Sequence, residues 1–207
     1  MRILLIRHGR TDGNIRRAYI GRTDELVLPE EIRKIRPVPW EKSMLLFVSP
    51  MRRCLMTAQA LFPAWMENGS YETVEEFQEM DFGDFEGKSY EDLKENASYQ
   101  AYIDSGGEAA FPRGESRAAF ENRVKAAALP VFEKLLASAS GEGETAAFVI
   151  HGGTIMALLD AFSSPHEDYF TWQTSCLCGF SADLAREEEK KQSFLIREVK
   201  AWTCPVS

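Results

Sequence analysis

Long apolar runs are missing from this sequence: at the N-terminus only residues 3–6 are continuously apolar before Arg7 and His8 interrupt them. A membrane helix needs about 20 such residues and a secretion signal an apolar stretch of about 7–15, so neither is expected and a cytoplasmic location follows. Cysteine is scarce. Cys54, Cys176, Cys178 and Cys204 form no C-x-x-C pair and show no zinc-type spacing with histidine, which points to buried free thiols and not to a disulfide framework or metal knot. Positive charge is in deficit as well. A formal net charge of -8 argues against the broad cationic surface that nucleic acid or acidic lipid requires, so an anionic substrate would have to be drawn by a local arginine cluster. Repeats, low-complexity tracts and Pro/Gly/Ser-rich linkers are also lacking, and the 207 residues are read as one domain over 1–207.

The remaining composition is that of a chain able to bury a core, with 44% apolar and 27% charged residues. Residues 3–6, 44–48 and 146–150 are short apolar runs of the kind expected for strands buried on both faces. Each runs into polar chemistry: Arg7-His8-Gly9, Ser49-Pro50-Met51-Arg52-Arg53 and His151-Gly152-Gly153. Ser49 followed by Pro50 reads as a helix N-cap with proline at N1, and Leu55, Ala58 and Phe62 continue at helical spacing. Ile155, Leu158, Leu159 and Phe162 form a second apolar stripe, giving a second strand–helix unit. Phe120, Val124, Ala128, Val131 and Leu135 predict a helix over the sheet, with a kink or break at Pro130. Residues 175–181 and 193–202 read as strands separated by a charged, solvated turn over 183–191, added antiparallel at a sheet edge. Pro37 and Pro39 shorten the helix expected before Met44. Residues 88–113 form an insertion expected to cover a pocket, with one or two short helices between Tyr90 and Tyr102. The fold expected is α/β, a mainly parallel sheet between helical layers.

In open α/β sheets ligands sit beyond the carboxyl ends of the strands. That rule brings Arg7, His8, Arg53 and His151 together although up to 144 positions separate them. The string Arg7-His8-Gly9-Arg10-Thr11-Asp12-Gly13-Asn14 resembles the signature of the histidine phosphatase (phosphoglycerate mutase-like) superfamily. Ser49 through Ala58 resembles that family's Ser-x-x-x-Arg-Ala-x-x-Thr-Ala block, with Arg53 in the arginine register and Thr57 behind it. Three further blocks agree in order: Glu79-Met80-Asp81-Phe82-Gly83-Asp84-Phe85-Glu86-Gly87, Pro112-Arg113-Gly114-Glu115-Ser116 and Val149-Ile150-His151-Gly152-Gly153. Arg10 stands where glutamate is common, Cys54 replaces an alanine, and Leu26-Val27-Leu28-Pro29 loosens a Leu-Thr helix start. Tyr19-Ile20-Gly21-Arg22-Thr23-Asp24 and the Pro112 block resemble the alpha-ribazole phosphatases among these enzymes.

The resemblance implies a three-layer αβα sandwich of phosphoglycerate mutase-like type with an antiparallel edge strand. It also implies phosphoryl transfer to His8, Arg7 and Arg53 as clamps on the phosphoryl oxygens, and His151 as a further hydrogen-bond donor to them. Thr11, Asn14, Gly21, Arg22 and Gly152 would line the phosphate or substrate site. Flanking guanidinium groups would keep an imidazole nucleophile unprotonated and stabilise transition-state charge. Glu79 is the expected proton donor, in an apolar setting among Phe77, Phe82 and Phe85 that favours its protonated form; Asp81 and Glu86 are rivals, as Arg52 is to Arg53. The basic cluster Arg16, Arg17 and Arg22 either extends the phosphate site or is a solvated loop. No metal or cofactor is implied. The partner is a small phosphorylated metabolite, with a homodimer left open and no role for nucleic acid or membrane. The expected activity is hydrolysis of a phosphate monoester, with a cofactor-dependent mutase or a silent phosphate-binding protein as alternatives.

Overall fold

The structure is a computed structural model that describes residues 1–38, 44–138, 144–187 and 193–206. In chain order the elements are β1 (Arg2–Arg7), α1 (Asp12–Arg16), α2 (Pro29–Lys34), β2 (Met44–Val48), α3 (Arg52–Leu61), α4 (Pro63–Glu67), β3 (Glu72–Thr73), α5 (Tyr90–Leu93), α6 (Ala97–Asp104), α7 (Arg117–Ser138), β4 (Thr145–Ile150), α8 (Gly152–Phe162), β5 (Cys178–Arg186) and β6 (Phe194–Thr203). The strands form one sheet in the order β3-β2-β4-β1-β5-β6. β1, β2, β3 and β4 pair in parallel, whereas β5 runs antiparallel to β1 and β6 antiparallel to β5. This is the expected three-layer α/β architecture, with the antiparallel addition at one edge.

Alternate strand residues enter two different cores. Ile3, Leu5, Phe148 and Ile150 pack with α7 and α8 on one face, while Leu4, Ile6, Ala147 and Val149 pack with Cys54, Ala58 and Leu61 of α3 on the other. Cover on both faces is why these strands read as continuous apolar runs and not as alternation. Each fully buried Ile, Leu or Phe contributes about 1.5–3 kcal/mol relative to exposure, and that packing holds the central strands in register.

Four local expectations are corrected. The helix after β2 begins at Arg52 with Met51 at its N-cap and no side-chain cap, so Ser49 does not cap it. Pro130 does not interrupt α7, which is continuous over 22 residues; Pro130 and Ala126, whose carbonyl loses its donor, are both exposed, where water replaces the missing bond. Asp183 through Arg186 belong to β5 and not to a turn, because Ala182 and Leu184 alternate into the core; residues 188–191 of the expected turn lie outside the described residues. Of the four thiols only Cys54 and Cys204 are buried, with Cys176 and Cys178 partly exposed, and all four are free. The helix before Met44 is indeed short, and Tyr90 to Tyr102 holds two short helices; Pro39 lies outside the described residues.

Candidate active site

β4 lies between β1 and β2, so their carboxyl ends are adjacent. The backbone ladder runs one step past the strands: His8 N–H donates to Ile150 C=O at 3.1 Å and Ser49 N–H to Val149 C=O at 3.1 Å. His8 and His151 are thereby set edge to face, with ring centroids 5.2 Å apart. Arg53, from the first turn of α3, completes the group.

The His8 ring places Nδ1 2.8 Å from Gly9 C=O. A carbonyl only accepts, so Nδ1 carries the proton and Nε2 keeps its lone pair. Burial first, then Arg53 and Arg7, holds the His8 pKa well below the imidazole value of 6.5, against a smaller opposing effect of the Gly9 carbonyl. His8 is therefore a neutral imidazole. Gly9 N–H donates to Thr57 Oγ1 at 2.9 Å, and that hydroxyl donates to Arg53 C=O at 2.7 Å, so Thr57 locks the His8 loop to α3.

Arg53 is fully buried. Its Nη1 donates to Thr23 C=O and its Nη2 to Gly21 C=O, both at 2.8 Å, and its Nε donates to His151 Nδ1 at 3.2 Å. No ion pair among the described residues involves it. Arg52, the rival, is exposed, and its backbone N–H is bound by Asp24 at 2.8 Å. Since Arg53 donates to Nδ1 of His151, that ring carries its proton on Nε2, 2.8 Å from Ser49 Oγ. Both nitrogens of His151 thus have protein partners here, and its hydrogen bond to a phosphoryl group would exchange one of them. Its pKa too lies well below 6.5, through burial and then Arg53, His8, Arg7 and Arg123. Arg7 donates from Nη1 to Thr174 C=O at 2.6 Å, while its buried Nε has no partner among the described residues.

A cavity of about 470 Å³ adjoins this group, walled by Arg7, Asn14, Glu79, Gly152 and Gly153 together with Tyr19, Phe82, Tyr102, Tyr169 and Phe170. His8, Arg53 and His151 are not in its wall; they are 4%, 0% and 0% exposed, and Arg7 and Gly152 link them to it. Tyr102 and Gly107 of the 88–113 insertion do line it. Glu79 docks on the start of α8: Gly153 N–H donates to its Oε2 and Met80 N–H to its Oε1, each at 2.9 Å. A Cβ at Gly153 would lie 2.2 Å from Glu79 Oε1, so this contact needs glycine.

Arg123 and Glu115 hold the backbone that carries Glu79. Arg123 Nε and Nη2 each donate to Glu115 at 2.8 Å, Nη1 donates to the carbonyls of Glu76 and Gln78, and Glu115 accepts from Asp81 N–H at 2.9 Å. Of the rivals to Glu79, Asp81 accepts from Gly83 N–H and lies 3.8 Å from Arg22, and Glu86 is occupied by the 21–23 segment; neither lines the cavity.

The other expected ligands divide. Asn14 and Gly152 line the cavity, whereas Thr11, Gly21 and Arg22 do not. Thr11 is the buried N-cap of α1 in a capping box with Asn14, Gly21 anchors Arg53, and exposed Arg22 hydrogen-bonds Gln78. Within the basic cluster Arg16 pairs with Asp12 and Glu25, while Arg17 lines a neighbouring cavity with Arg10, Glu31 and Lys34. Ser49, Gly153, Glu115 and Arg123 were not among the expected site residues; Ser49, Gly153 and Glu115 stood in the blocks that carry the resemblance, and Arg123 alone carried no signal. Among the described residues no group of three or more His, Cys, Asp or Glu is arranged to hold a metal ion.

The model of one protein family, the histidine phosphatase superfamily (branch 1), matches residues 3–192. None of the curated proteins matches the chain. Solved structures of similar fold include a candidate alpha-ribazole-5'-P phosphatase from Escherichia coli (22% identity, 100% of this chain and 99% of that one, TM-score 0.73). They also include the alpha-ribazole phosphatase from Shigella flexneri (19%, 99% and 96%, 0.73) and a phosphoglycerate mutase from Thermus thermophilus (25%, 94% and 96%, 0.58).

Proposed function

Because the chain belongs to the histidine phosphatase superfamily, we propose that it hydrolyses a small-molecule phosphate monoester through a phosphohistidine on His8. The observation that carries this reading is Arg53: a fully buried guanidinium bound only by carbonyls and an imidazole among the described residues, a costly arrangement unless an anion completes it. Nε2 of neutral His8 attacks phosphorus, and Arg7 and Arg53 stabilise the charge on the equatorial oxygens. A guanidinium about 4 Å from such a charge gains roughly 4 kcal/mol at an effective dielectric of ~20, enough for position to outweigh a net charge of -8. Glu79 protonates the departing oxygen and then, as its carboxylate, takes a proton from the water that cleaves the N–P bond.

As substrate we propose alpha-ribazole 5'-phosphate, supported by the five aromatic side chains of the cavity wall, which suit a leaving group with a flat ring. A cytoplasmic enzyme acting on a soluble metabolite fits four free thiols, and no helix of the described residues is long and apolar enough to cross a membrane.

The test is chemical trapping. Labelled substrate quenched in alkali should leave an acid-labile phosphoryl group on the wild type and none on His8→Ala, whose turnover should be lost; a His8→Ala variant that still turns over ends the proposal. A panel of phosphorylated metabolites ranks substrates. Incubation with 3-phosphoglycerate and 2,3-bisphosphoglycerate separates the mutase alternative, which would form isomer without releasing phosphate.

A further inference from the structure

Glu86, a rival for the proton donor on sequence grounds, has its carboxylate saturated. Oε1 accepts from the backbone N–H groups of Gly21 (3.0 Å), Arg22 (2.9 Å) and Phe82 (3.2 Å). Oε2 accepts from the N–H groups of Gly21 and Thr23, both at 3.2 Å, and from the Thr23 hydroxyl at 2.6 Å. Peptide groups of the same segment look the other way: the carbonyls of Gly21 and Thr23 hold the two terminal nitrogens of Arg53. Residues 21–23 therefore lie between a carboxylate and a guanidinium, N–H groups toward one and C=O groups toward the other. Gly21 permits the approach, since a Cβ there would lie 1.8 Å from Met80 O and 2.6 Å from Glu86 Oε1.

We infer that Glu86 is a positioning residue that fixes the Arg53 guanidinium, through the peptide groups of Gly21–Thr23, for the phosphoryl group of the reaction proposed above. The physical advantage lies in the distance. A carboxylate bound directly to Arg53 would neutralise it and compete with the phosphate for its N–H groups, whereas Glu86, bound to the Arg22 N–H of the peptide unit that carries the Gly21 carbonyl, polarises that carbonyl and, through Thr23, holds the segment that carries the second one. The same carboxylate joins two loops, because Phe82 N–H and Glu86 itself belong to the segment that follows Glu79. Glu86 does not line the cavity walled by Arg7 and Glu79, so its effect passes through Arg53.

The experiment compares wild type with Glu86→Gln, whose amide presents an N–H group to donors. Orthophosphate affinity by calorimetry should weaken about tenfold, a difference of about 1.4 kcal/mol; kcat/KM should fall by at least that factor, equally for an aryl and an alkyl phosphate. The acid limb of the pH–rate profile should move up. That limb reports His8 and His151, which are faced by Arg7 of β1, Arg53 and Cys54 of α3, Arg123 of α7 and each other; a displaced Arg53 depresses their protonation less. A lower melting temperature with unchanged phosphate affinity and acid limb would make Glu86 merely structural and overturn the inference. A loss confined to the alkyl substrate would make it an acid and overturn it equally. Should Glu86→Gln fail to fold, Thr23→Val, which removes only the 2.6 Å hydroxyl bond, should weaken orthophosphate about threefold, and no change would overturn the inference. Orthophosphate binding needs no turnover, so a chain that binds phosphate in this Glu86-dependent way but hydrolyses nothing would sink the proposed reaction and leave the positioning role standing.

Discussion

Arg53 donates from Nε to Nδ1 of His151 at 3.2 Å, so a fully buried cation rests against a fully buried neutral ring with no carboxylate bound to either among the described residues. The contact assigns the His151 tautomer, and the Arg53 charge adds to burial in holding the pKa of His8 and His151 low. It also leaves the cationic charge of Arg53 available to a ligand.

Removing that charge should separate activity from folding. Arg53→Met should lower kcat/KM by about 10²–10³-fold, the usual cost of losing one preorganised transition-state contact. Orthophosphate at ten times its Kd should stabilise wild type by about 1.4 kcal/mol and the variant hardly at all. Equal thermal shifts in the two proteins would mean that Arg53 does not bind the anion.

Stability should fall with mild acid before the carboxylates titrate. His8 and His151 have folded pKa values well below 6.5, so below that pH the unfolded chain binds protons that the folded chain does not. The contribution is present in full above pH 6.5 and declines as pH falls, at a rate of up to about 2.7 kcal/mol per pH unit for two histidines. Urea unfolding between pH 7.5 and 5.5 measures it, and His8→Asn should roughly halve the slope. A flat profile would show that the rings are protonated in the folded state.

The central strands and the convergence of His8, Arg53 and His151 were legible because burial on both faces leaves short apolar runs and strand ends place their next residues side by side. Ser49 was misread for a physical reason. Ser-Pro chemistry suits an N-cap, but the hydroxyl is bound by His151, 102 positions away, and a tertiary partner outweighs a local one. The strand character of Asp183–Arg186 was obscured by charge, although Ala182 and Leu184 carried the alternation. Gly153 gave no sign of its role, since the need for glycine arises from a carboxylate arriving from another loop.

Pro130 offers a test of the fold alone. Its ring leaves the Ala126 carbonyl without a helical donor inside a continuous helix, at a cost of about 3 kcal/mol, while proline returns up to about 1 kcal/mol by restricting the unfolded chain. Pro130→Ala should therefore stabilise the protein by about 2 kcal/mol, read as a higher urea midpoint at unchanged slope. A lower midpoint would show that the surrounding helix is built to accommodate the proline.

Glu79 can be tested from both ends of its contact with α8. Glu79→Gln removes the proton and should slow release of an alkyl alcohol by about 10²-fold or more, within the range of general acid catalysis, while slowing release of a nitrophenol much less, because a good leaving group needs no proton. Gly153→Ala keeps the carboxyl group but sets a Cβ 2.2 Å from its Oε1, so the side chain must leave Gly153 N–H. If the position of Glu79, and not only its charge, serves the departing oxygen, Gly153→Ala should show the same dependence on leaving group in weaker form. Arg123→Ala, which releases the backbone at Gln78 and Glu79, should follow the same trend. Were all three variants to slow both substrates equally, the proton donor would have to be sought elsewhere, with Asp81 first in line because it lies on the same loop and Glu86 has no acceptor site to spare.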